Sequence, residues 1–203
     1  ALLALIDEAR SSPGMRVAPF LDPPNAAAER NAGARAATGE LLLFLDGGIE
    51  VADPGWLDEL VRWAVQPGVG IVGARLDYPD GALQHAGIVL APGLEGFVFR
   101  GAERGAWGVF GSAETTRNYL AVAGACQMVR REVFEQGGGY DETYRLAHGD
   151  IALCLQARER GWRTVYTPFA RLTYHQPACR AAGAADGATG GATGGVADDR
   201  ARL

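Results

Sequence analysis

Several residue types and patterns are missing from this 203-residue sequence, and each absence narrows what the chain can do. It contains no lysine, so arginine supplies all 19 basic residues, and these are scattered among 24 acidic residues for a net charge of -5. A nucleic-acid partner would require a clustered positive surface, which this distribution does not provide. No apolar run approaches the roughly 20 residues that a helix needs to cross a bilayer.

Cysteine is also scarce, with Cys126, Cys154 and Cys179 too far apart to form a CxxC metal or redox pair. An odd and sparse set of cysteines predicts reduced thiols and a cytoplasmic protein. Residues 1–10 have no basic start and are not typical of a signal peptide. They also lack an initiating methionine and begin within a helical pattern, so we expect the front of a longer domain to be missing.

Two families of catalytic motif are absent as well. No GxGxxG or GxxxxGK spacing accompanies the glycines at 137–139, which are better interpreted as the end of a helix than as a phosphate cradle. No Gly-x-Ser-x-Gly elbow is present, which disfavours a hydrolase built on a similar sheet.

Helical and strand patterns do alternate along residues 1–180, and this order predicts an α/β sandwich with a mostly parallel central sheet. Asn25 and Asp53 are expected to cap helices, Gly39 and Gly161 to end them, and Pro-Asp-Gly at 79–81 to close a hairpin. The Gly/Ala-rich residues 181–203 cannot bury a core and are predicted to be disordered. The predicted helices are 1–10, 25–39, 53–66, 131–139 and 149–161, and the predicted strands are 15–21, 40–46, 69–78, 82–91, 119–130 and 162–175.

Two aspartates stand where a ligand site is expected. Asp46 ends the apolar run LLLFLD, at the carboxyl edge where open α/β sheets bind ligands, although it could simply begin a turn. Asp150 lies at the start of a helix, where an acid also serves to cap free N–H groups and suits the helix dipole. The sequence alone leaves both interpretations open.

The order of these motifs resembles the inverting family 2 glycosyltransferases, which have the Rossmann-like, three-layer GT-A fold. The similarity is collinear over about residues 1–180 and is particularly close to bacterial enzymes that attach rhamnose and related sugars to cell-surface polysaccharide. It would place the chain in a GT-A domain lacking its first strand or strands, because residues 1–10 resemble the helix that follows the base-binding turn. The stretches that carry the resemblance are 31–61, 69–90, 118–142 and 144–175.

The resemblance assigns the donor side first. Asp46 matches the first acid of the family's Asp-x-Asp motif, which holds the ribose or the metal–diphosphate unit of the donor. The second acid falls on Gly48, a departure that removes a carboxylate expected to ligate Mg²⁺ or Mn²⁺. His175 matches a histidine of the metal or diphosphate site, although an edge histidine facing solvent is an alternative. Asp46 and His175 are thus the implied metal ligands, with Glu50 as a substitute.

On the acceptor side, Asp150 matches the catalytic base, which takes the proton of the attacking hydroxyl. The usual Asn or Glu neighbour of that base is replaced by Gly149, and the second acid of the motif by Ala152. The resemblance also places Gly124 and Ala125 in the acceptor-side strand. His148, next to Gly149, is expected to face the acceptor pocket. Trp107 is expected either to stack on a sugar or to anchor its long loop to the core. We interpret His85 as a structural residue.

The implied function is transfer of a sugar from a nucleotide-diphosphate sugar to a saccharide or lipid-linked acceptor in cell-surface polysaccharide synthesis. Peripheral association with a membrane stays open. The alternative is a catalytically inactive remnant, or a sugar- or nucleotide-binding module of a larger protein, which the departures at Gly48, Gly149 and Ala152 would suit. The transferase interpretation requires Asp46 and Asp150 to converge at one edge of the sheet.

Overall fold

The computed structural model describes residues 24–51, 53–91 and 94–175 of the chain. The helix predicted at 1–10, the strand predicted at 15–21 and the tail at 181–203 lie outside the described residues, as does Cys179.

Four α-helices are described, and their ends follow mostly from local sequence: α1 (Ala26–Ala36), α2 (Trp56–Ala64), α3 (Arg131–Gln136) and α4 (Gly149–Glu159). Asn25 caps α1 as predicted, its Oδ1 accepting a hydrogen bond from the N–H of Ala28 at 3.1 Å. Gly161, with φ of 87°, follows α4 and supplies the expected left-handed stop.

Gly39 and Asp53 do not end and cap helices in the way the sequence predicts. Gly39 is not left-handed, because α1 ends earlier, where Ala37 turns extended and donates its N–H to the carbonyl of Gly33. Asp53 caps the turn before α2 rather than the helix itself, its Oδ1 accepting from the N–H of Gly55 at 2.9 Å.

Nine strands are described: β1 (Leu41–Leu45), β2 (Ile49–Val51), β3 (Val69–Asp77), β4 (Leu83–His85), β5 (Ile88–Ala91), β6 (Leu94–Phe97), β7 (Arg117–Tyr119), β8 (Cys126–Arg130) and β9 (Arg163–Tyr174). Seven of them form the central sheet in the order β1–β8–β3–β9–β2, with β4 paired to β3 and β7 paired to β9. β3 and β4 form the predicted Pro-Asp-Gly hairpin, and β5 and β6 form a separate two-stranded sheet.

Three strands of the central sheet share one direction, as a parallel sheet requires, but most neighbouring strand pairs are antiparallel. β1, β3 and β9 all run in one direction, but β8 lies between β1 and β3 and is antiparallel to both. The only parallel pair among the described strands is therefore β3–β9. The reason is topological: the chain leaves β3 and enters β8 at the same end of the sheet, which strand and helix alternation alone cannot reveal.

Helices cover both faces of the sheet, as predicted for a three-layer α/β sandwich. α2 packs on one face through Leu60 and Ala64, together with the apolar side chains of β3 and β9. α1, α3 and α4 contribute to the core on the opposite face, where Tyr140 and Tyr166 are fully buried. Because β1, β3 and β9 share a direction, their carboxyl ends meet at one edge of the sheet.

Candidate active site

The carboxyl end of β1 and the segment entering β8 meet at this edge. Because β8 is antiparallel to β1, its first residue, Cys126, lies opposite Leu45, the last residue of β1. The N–H of Asp46 donates to the carbonyl of Ala125 at 2.9 Å. Residues 123–125 thus lie beside Asp46, although they are far from it in sequence.

Arg30 of α1 links Asp46 to that segment. One guanidinium nitrogen, Nη2, lies 3.1 Å from Oδ1 of Asp46 and 3.1 Å from the carbonyl oxygen of Gly124. The guanidinium also lies over the ring of Tyr140, 5.3 Å from the ring centre. The second carboxylate oxygen of Asp46 accepts a hydrogen bond from the hydroxyl of Tyr174 at 3.0 Å.

Asp150 approaches the same segment from α4. Its Oδ2 accepts a hydrogen bond from the N–H of Gly124 at 2.5 Å. A Cβ atom at position 124 would lie 2.8 Å from Nη1 of Arg30 and 2.9 Å from Cβ of Asp150. Only glycine therefore allows the arginine and the aspartate to close around this backbone.

His85 holds the adjacent residue. Its Nε2 accepts the N–H of Ala123 at 3.3 Å, and its ring makes edge contacts with Phe97 and Tyr166. Burial, and to a smaller extent Arg100, lower the pKa of His85 to about 3, so the ring is neutral at physiological pH. The structural role predicted for His85 is confirmed.

The structure thus brings together four of the residues singled out from the sequence: Asp46, Gly124, Ala125 and Asp150. The two aspartates are connected through Gly124 and Arg30, as the transferase interpretation requires. A cleft of about 520 Å³ opens beside this cluster, between α1 and β1, and Arg30, Asp46 and Gly47 line it. Asp150 is not among the residues that line this cleft.

Gly48 and His175 lie next to each other where β2 meets the end of β9. The N–H of His175 donates to the carbonyl of Gly48 at 2.8 Å, and Nε2 of His175 lies 2.7 Å from a carboxylate oxygen of Glu50. A Cβ atom on Gly48 would lie only 2.4 Å from the carbonyl oxygen of His175. This backbone therefore has no room for the second acid of an Asp-x-Asp motif.

The remaining two predicted residues have different surroundings. The side chain of His148 is only 5% exposed, with Nε2 2.8 Å from a carboxylate oxygen of Glu95. Trp107 is 68% exposed and does not anchor its loop in the core. It precedes a short 3₁₀ segment, Val109–Glu114, in which Phe110 is 95% exposed with a left-handed φ of 53°.

Sequence reasoning missed Arg30 and Tyr174. Arg30 lies on the same helical face as the buried Ala27 and Ala34, three residues after the first and four before the second. An arginine placed between two small buried residues on one face is the signal that could have revealed it. Burial lowers the pKa of Arg30, whereas Tyr140, Asp150 and Asp46 raise it, and the net direction is upward. The guanidinium is therefore a permanent positive charge beside Asp46.

The described residues contain no group of three or more histidine, cysteine, aspartate or glutamate side chains placed to hold a metal ion. Within the same residues, no helix combines the length and the apolar character needed to span a membrane. Cys126 and Cys154 are buried free thiols, and burial raises the pKa of each to about 12.

Comparison with known proteins matches the sequence to a protein family and to individual relatives. The model of a family described as "Glycosyltransferase like family 2" matches residues 1–186. The O-antigen biosynthesis protein RfbC of Myxococcus xanthus is 46% identical over 166 residues, covering 80% of this chain and 13% of RfbC. An N-acetylglucosaminyl-diphospho-decaprenol L-rhamnosyltransferase of Mycobacterium tuberculosis is 28% identical over 135 residues, covering 61% of this chain and 43% of that enzyme.

Two solved structures share the fold. A mannosyltransferase of Pyrobaculum calidifontis, solved with GDP-Man and Mn²⁺, matches with a TM-score of 0.59 and 19% identity, covering 87% of this chain and 44% of that one. GalNAc-T7, solved with UDP, GalNAc and Mn²⁺, matches with a TM-score of 0.67 and 18% identity, covering 84% and 34%. These matches confirm the predicted GT-A fold. The chain spans less than half the length of each of these four proteins.

Proposed function

The chain belongs to glycosyltransferase-like family 2, and from this membership we propose that it transfers a sugar from a nucleotide-diphosphate sugar to a saccharide or lipid-linked acceptor. The names of its relatives support a role in cell-surface polysaccharide synthesis. One observation carries the proposal: Asp46 and Asp150 are held around a single backbone position, Gly124, at the carboxyl edge of the sheet.

In the proposed reaction, Asp150 is the general base. The acceptor hydroxyl attacks the anomeric carbon, its proton passes to the Asp150 carboxylate, and the bond to the nucleotide diphosphate breaks with its electron pair on the leaving oxygen. The N–H of Gly124 orients Oδ2 of Asp150, and such positioning of a base is worth about 10²–10⁴-fold in rate. Asp150 also lies in the first turn of α4, where its Oδ1 accepts the N–H of Ile151 at 3.0 Å, so a contact with the helix start and catalysis are compatible at this position.

On the donor side we place Asp46, Gly48 and His175, and we add Arg30. The leaving diphosphate accumulates negative charge, which a protein must neutralise. Arg30 is a permanent cation that lines the cleft together with Asp46 and Gly47. Its bond to Asp46 fixes the guanidinium in place before any donor arrives. Gly48 contributes backbone only, since no side chain fits there.

A divalent cation would supply further neutralisation, because Mg²⁺ and Mn²⁺ accept oxygen ligands and stabilise leaving phosphates. The solved relatives contain Mn²⁺. In this chain, both oxygens of Asp46 already have partners, Arg30 and Tyr174, and His175 contacts Glu50. These residues do not form a ligand set for a hard cation as they stand, so binding of Mg²⁺ or Mn²⁺ by Asp46 and His175 stays a prediction and no step depends on it.

On the acceptor side, we propose that Gly124 and Ala125 form the floor of the site and that Trp107 contacts the acceptor. The exposed Trp107, Val109 and Phe110 also suit peripheral contact with the membrane that would carry a lipid-linked acceptor, because aromatic side chains favour the membrane interface. Sedimentation with lipid vesicles tests this, and equal binding by wild type and a Trp107→Ser/Phe110→Ser variant would exclude it. A cytoplasmic location stays a prediction.

Isothermal titration of the full chain with uridine, guanosine and deoxythymidine diphosphate sugars, with and without Mn²⁺, tests the donor site. We expect one of these donors to bind. Asp46→Asn should weaken its binding about tenfold, because the charged carboxylate proposed to contact the donor is lost. The matched control is Asp58→Asn, an exposed change on α2 that leaves affinity unaltered. Equal donor affinity in all three proteins would contradict the assignment of Asp46.

A further inference from the structure

His148 has an unfavourable backbone two residues before Asp150. Its φ of 66° and ψ of −8° are left-handed, a conformation that is unfavourable for residues other than glycine. His148 occupies the N-cap position of α4, and its carbonyl accepts the N–H of Ala152 at 2.9 Å. Glycine or asparagine would meet these backbone requirements more easily.

The side chain of His148 is buried at a further cost. Nε2 lies 2.8 Å from Oε2 of Glu95, whereas Nδ1 is buried and has no hydrogen-bond partner among the described residues. A buried polar atom without a partner destabilises the fold. Neither cost is needed to cap a helix, so the role of the imidazole has to follow from what it contacts.

The residue that His148 contacts, Glu95, lies in β6. Glu95 pairs with Leu90 across the β5–β6 hairpin, which attaches to the site at its other strand. There the N–H of Ile88, the first residue of β5, donates to the carbonyl of Ala121 at 2.9 Å. Ala121 leads into the segment that contains Gly124.

These contacts form a closed ring. From Glu95 the ring passes to His148, then along the chain to Asp150, across to Gly124, back to Ala121, and through the β5–β6 hairpin to Glu95. A ring of contacts fixes the Asp150 carboxylate from two directions, whereas a helix cap alone fixes it from one. Small displacements of a catalytic group reduce rate steeply.

We propose that His148, through Glu95, is a positioning residue that sets the Asp150 carboxylate against Gly124. The buried ring of His148 would act through Asp150, whereas direct contact of His148 with the acceptor stays a prediction. The kinetic part of this inference rests on the proposed function, whereas its structural part does not.

The test uses the full chain and three variants. His148→Gly removes the imidazole while favouring the left-handed backbone, Glu95→Gln removes the charge of the partner, and His148→Asn tolerates the backbone and restores a donor. The readouts are hydrogen exchange at the Gly124 amide by NMR, and kcat and donor KM in a sugar-transfer assay. Val61→Ala, a change on the opposite face of the sheet, controls for general destabilisation.

We expect Gly124 exchange to accelerate about tenfold or more in His148→Gly and Glu95→Gln, because each change removes or weakens the 2.8 Å contact between His148 and Glu95, with partial recovery in His148→Asn. We also expect kcat to fall about tenfold with donor KM unchanged. Wild-type exchange at Gly124 in both variants, or equal acceleration in Val61→Ala, would overturn the proposal. A wild-type chain without any transfer would instead reject the proposed function, and the amide measurement would still decide the role of His148.

Discussion

Two contacts between an acid and a base lie at the same edge of the sheet, and they differ in their surroundings. The side chains of Asp46 and Arg30 are 18% and 16% exposed, whereas those of Glu50 and His175 are 66% and 53% exposed. Arg30 and Asp46 also contact Gly124, Tyr174 and Tyr140, so neighbouring residues determine their geometry. The exposed pair of Glu50 and His175 is held mainly by its own contact, and such exposed pairs contribute little to the stability of the fold.

The difference shows which of the two contacts is held in place by its surroundings. The partly buried cluster retains a complete network around Asp46, Gly124 and Asp150. The exposed contact stands where the second acid and a metal would be expected, and there the backbone of His175 fills the space beside Gly48. We therefore expect perturbations to have large effects at the cluster and at Gly48, and small effects at Glu50.

The largest effect on stability is expected from Gly48→Asp, which restores the missing acid. Its Cβ would meet the carbonyl oxygen of His175 at 2.4 Å, so the β2–β9 pairing must shift, at a cost of about 3 kcal/mol. Gly47→Asp is the matched control, because nothing lies within 4 Å of a Cβ there. Urea unfolding of both variants measures the difference. Equal stability would mean that the described backbone at Gly48 does not restrict the side chain.

The next effect is expected from Arg30→Met. Removing the guanidinium leaves the Asp46 carboxylate partly buried without its cation, which should lower the free energy of unfolding by about 2 kcal/mol. In the exposed pair, Glu50→Gln should change it by less than about 0.5 kcal/mol. The same urea titrations compare the two. A cost for Glu50→Gln as large as that for Arg30→Met would remove the distinction between the two contacts.

A gradual effect is expected from acid, and between pH 7 and 5 it amounts to about 2 kcal/mol or less. The pKa of His85 is lowered to about 3 in the folded chain and is near 6.5 when unfolded, so the unfolded chain binds more protons between these values. This contribution to stability is complete above pH 6.5 and is lost as pH falls toward 3, by up to about 1.4 kcal/mol per pH unit. Unfolding between pH 5 and 7 should therefore depend less steeply on pH in His85→Gln. Identical slopes would contradict burial of a neutral His85.

The sequence predicts well whatever depends on neighbouring residues. Asn25 as a cap, the hairpin at 79–81 and the stop at Gly161 are local signals and agree with the structure. Asp46 was placed correctly at a strand's carboxyl end because a short apolar run between turn residues is itself a local pattern.

Features that depend on distant residues could not be predicted in the same way. The insertion of β8 between β1 and β3 arises from pairing across more than 50 residues. It makes both neighbouring pairs antiparallel, where a mostly parallel sheet was expected. Arg30 was hidden in an alanine-rich helix whose inward face is marked only by small residues. The close approach of Gly48 to His175 joins positions far apart in the chain, so sequence reveals the missing acid but not the space that excludes it.

Substitution of Asp150 decides whether this residue is the base of a site that includes Asp46. For wild type, Asp150→Asn and the control Asp58→Asn, we would measure kcat of sugar transfer and the dissociation constant of the same donor. We expect Asp150→Asn to lower kcat by about 10²–10⁴-fold while donor affinity stays within about twofold, and Asp58→Asn to change neither. Undiminished kcat in Asp150→Asn would show that Asp150 is not the base.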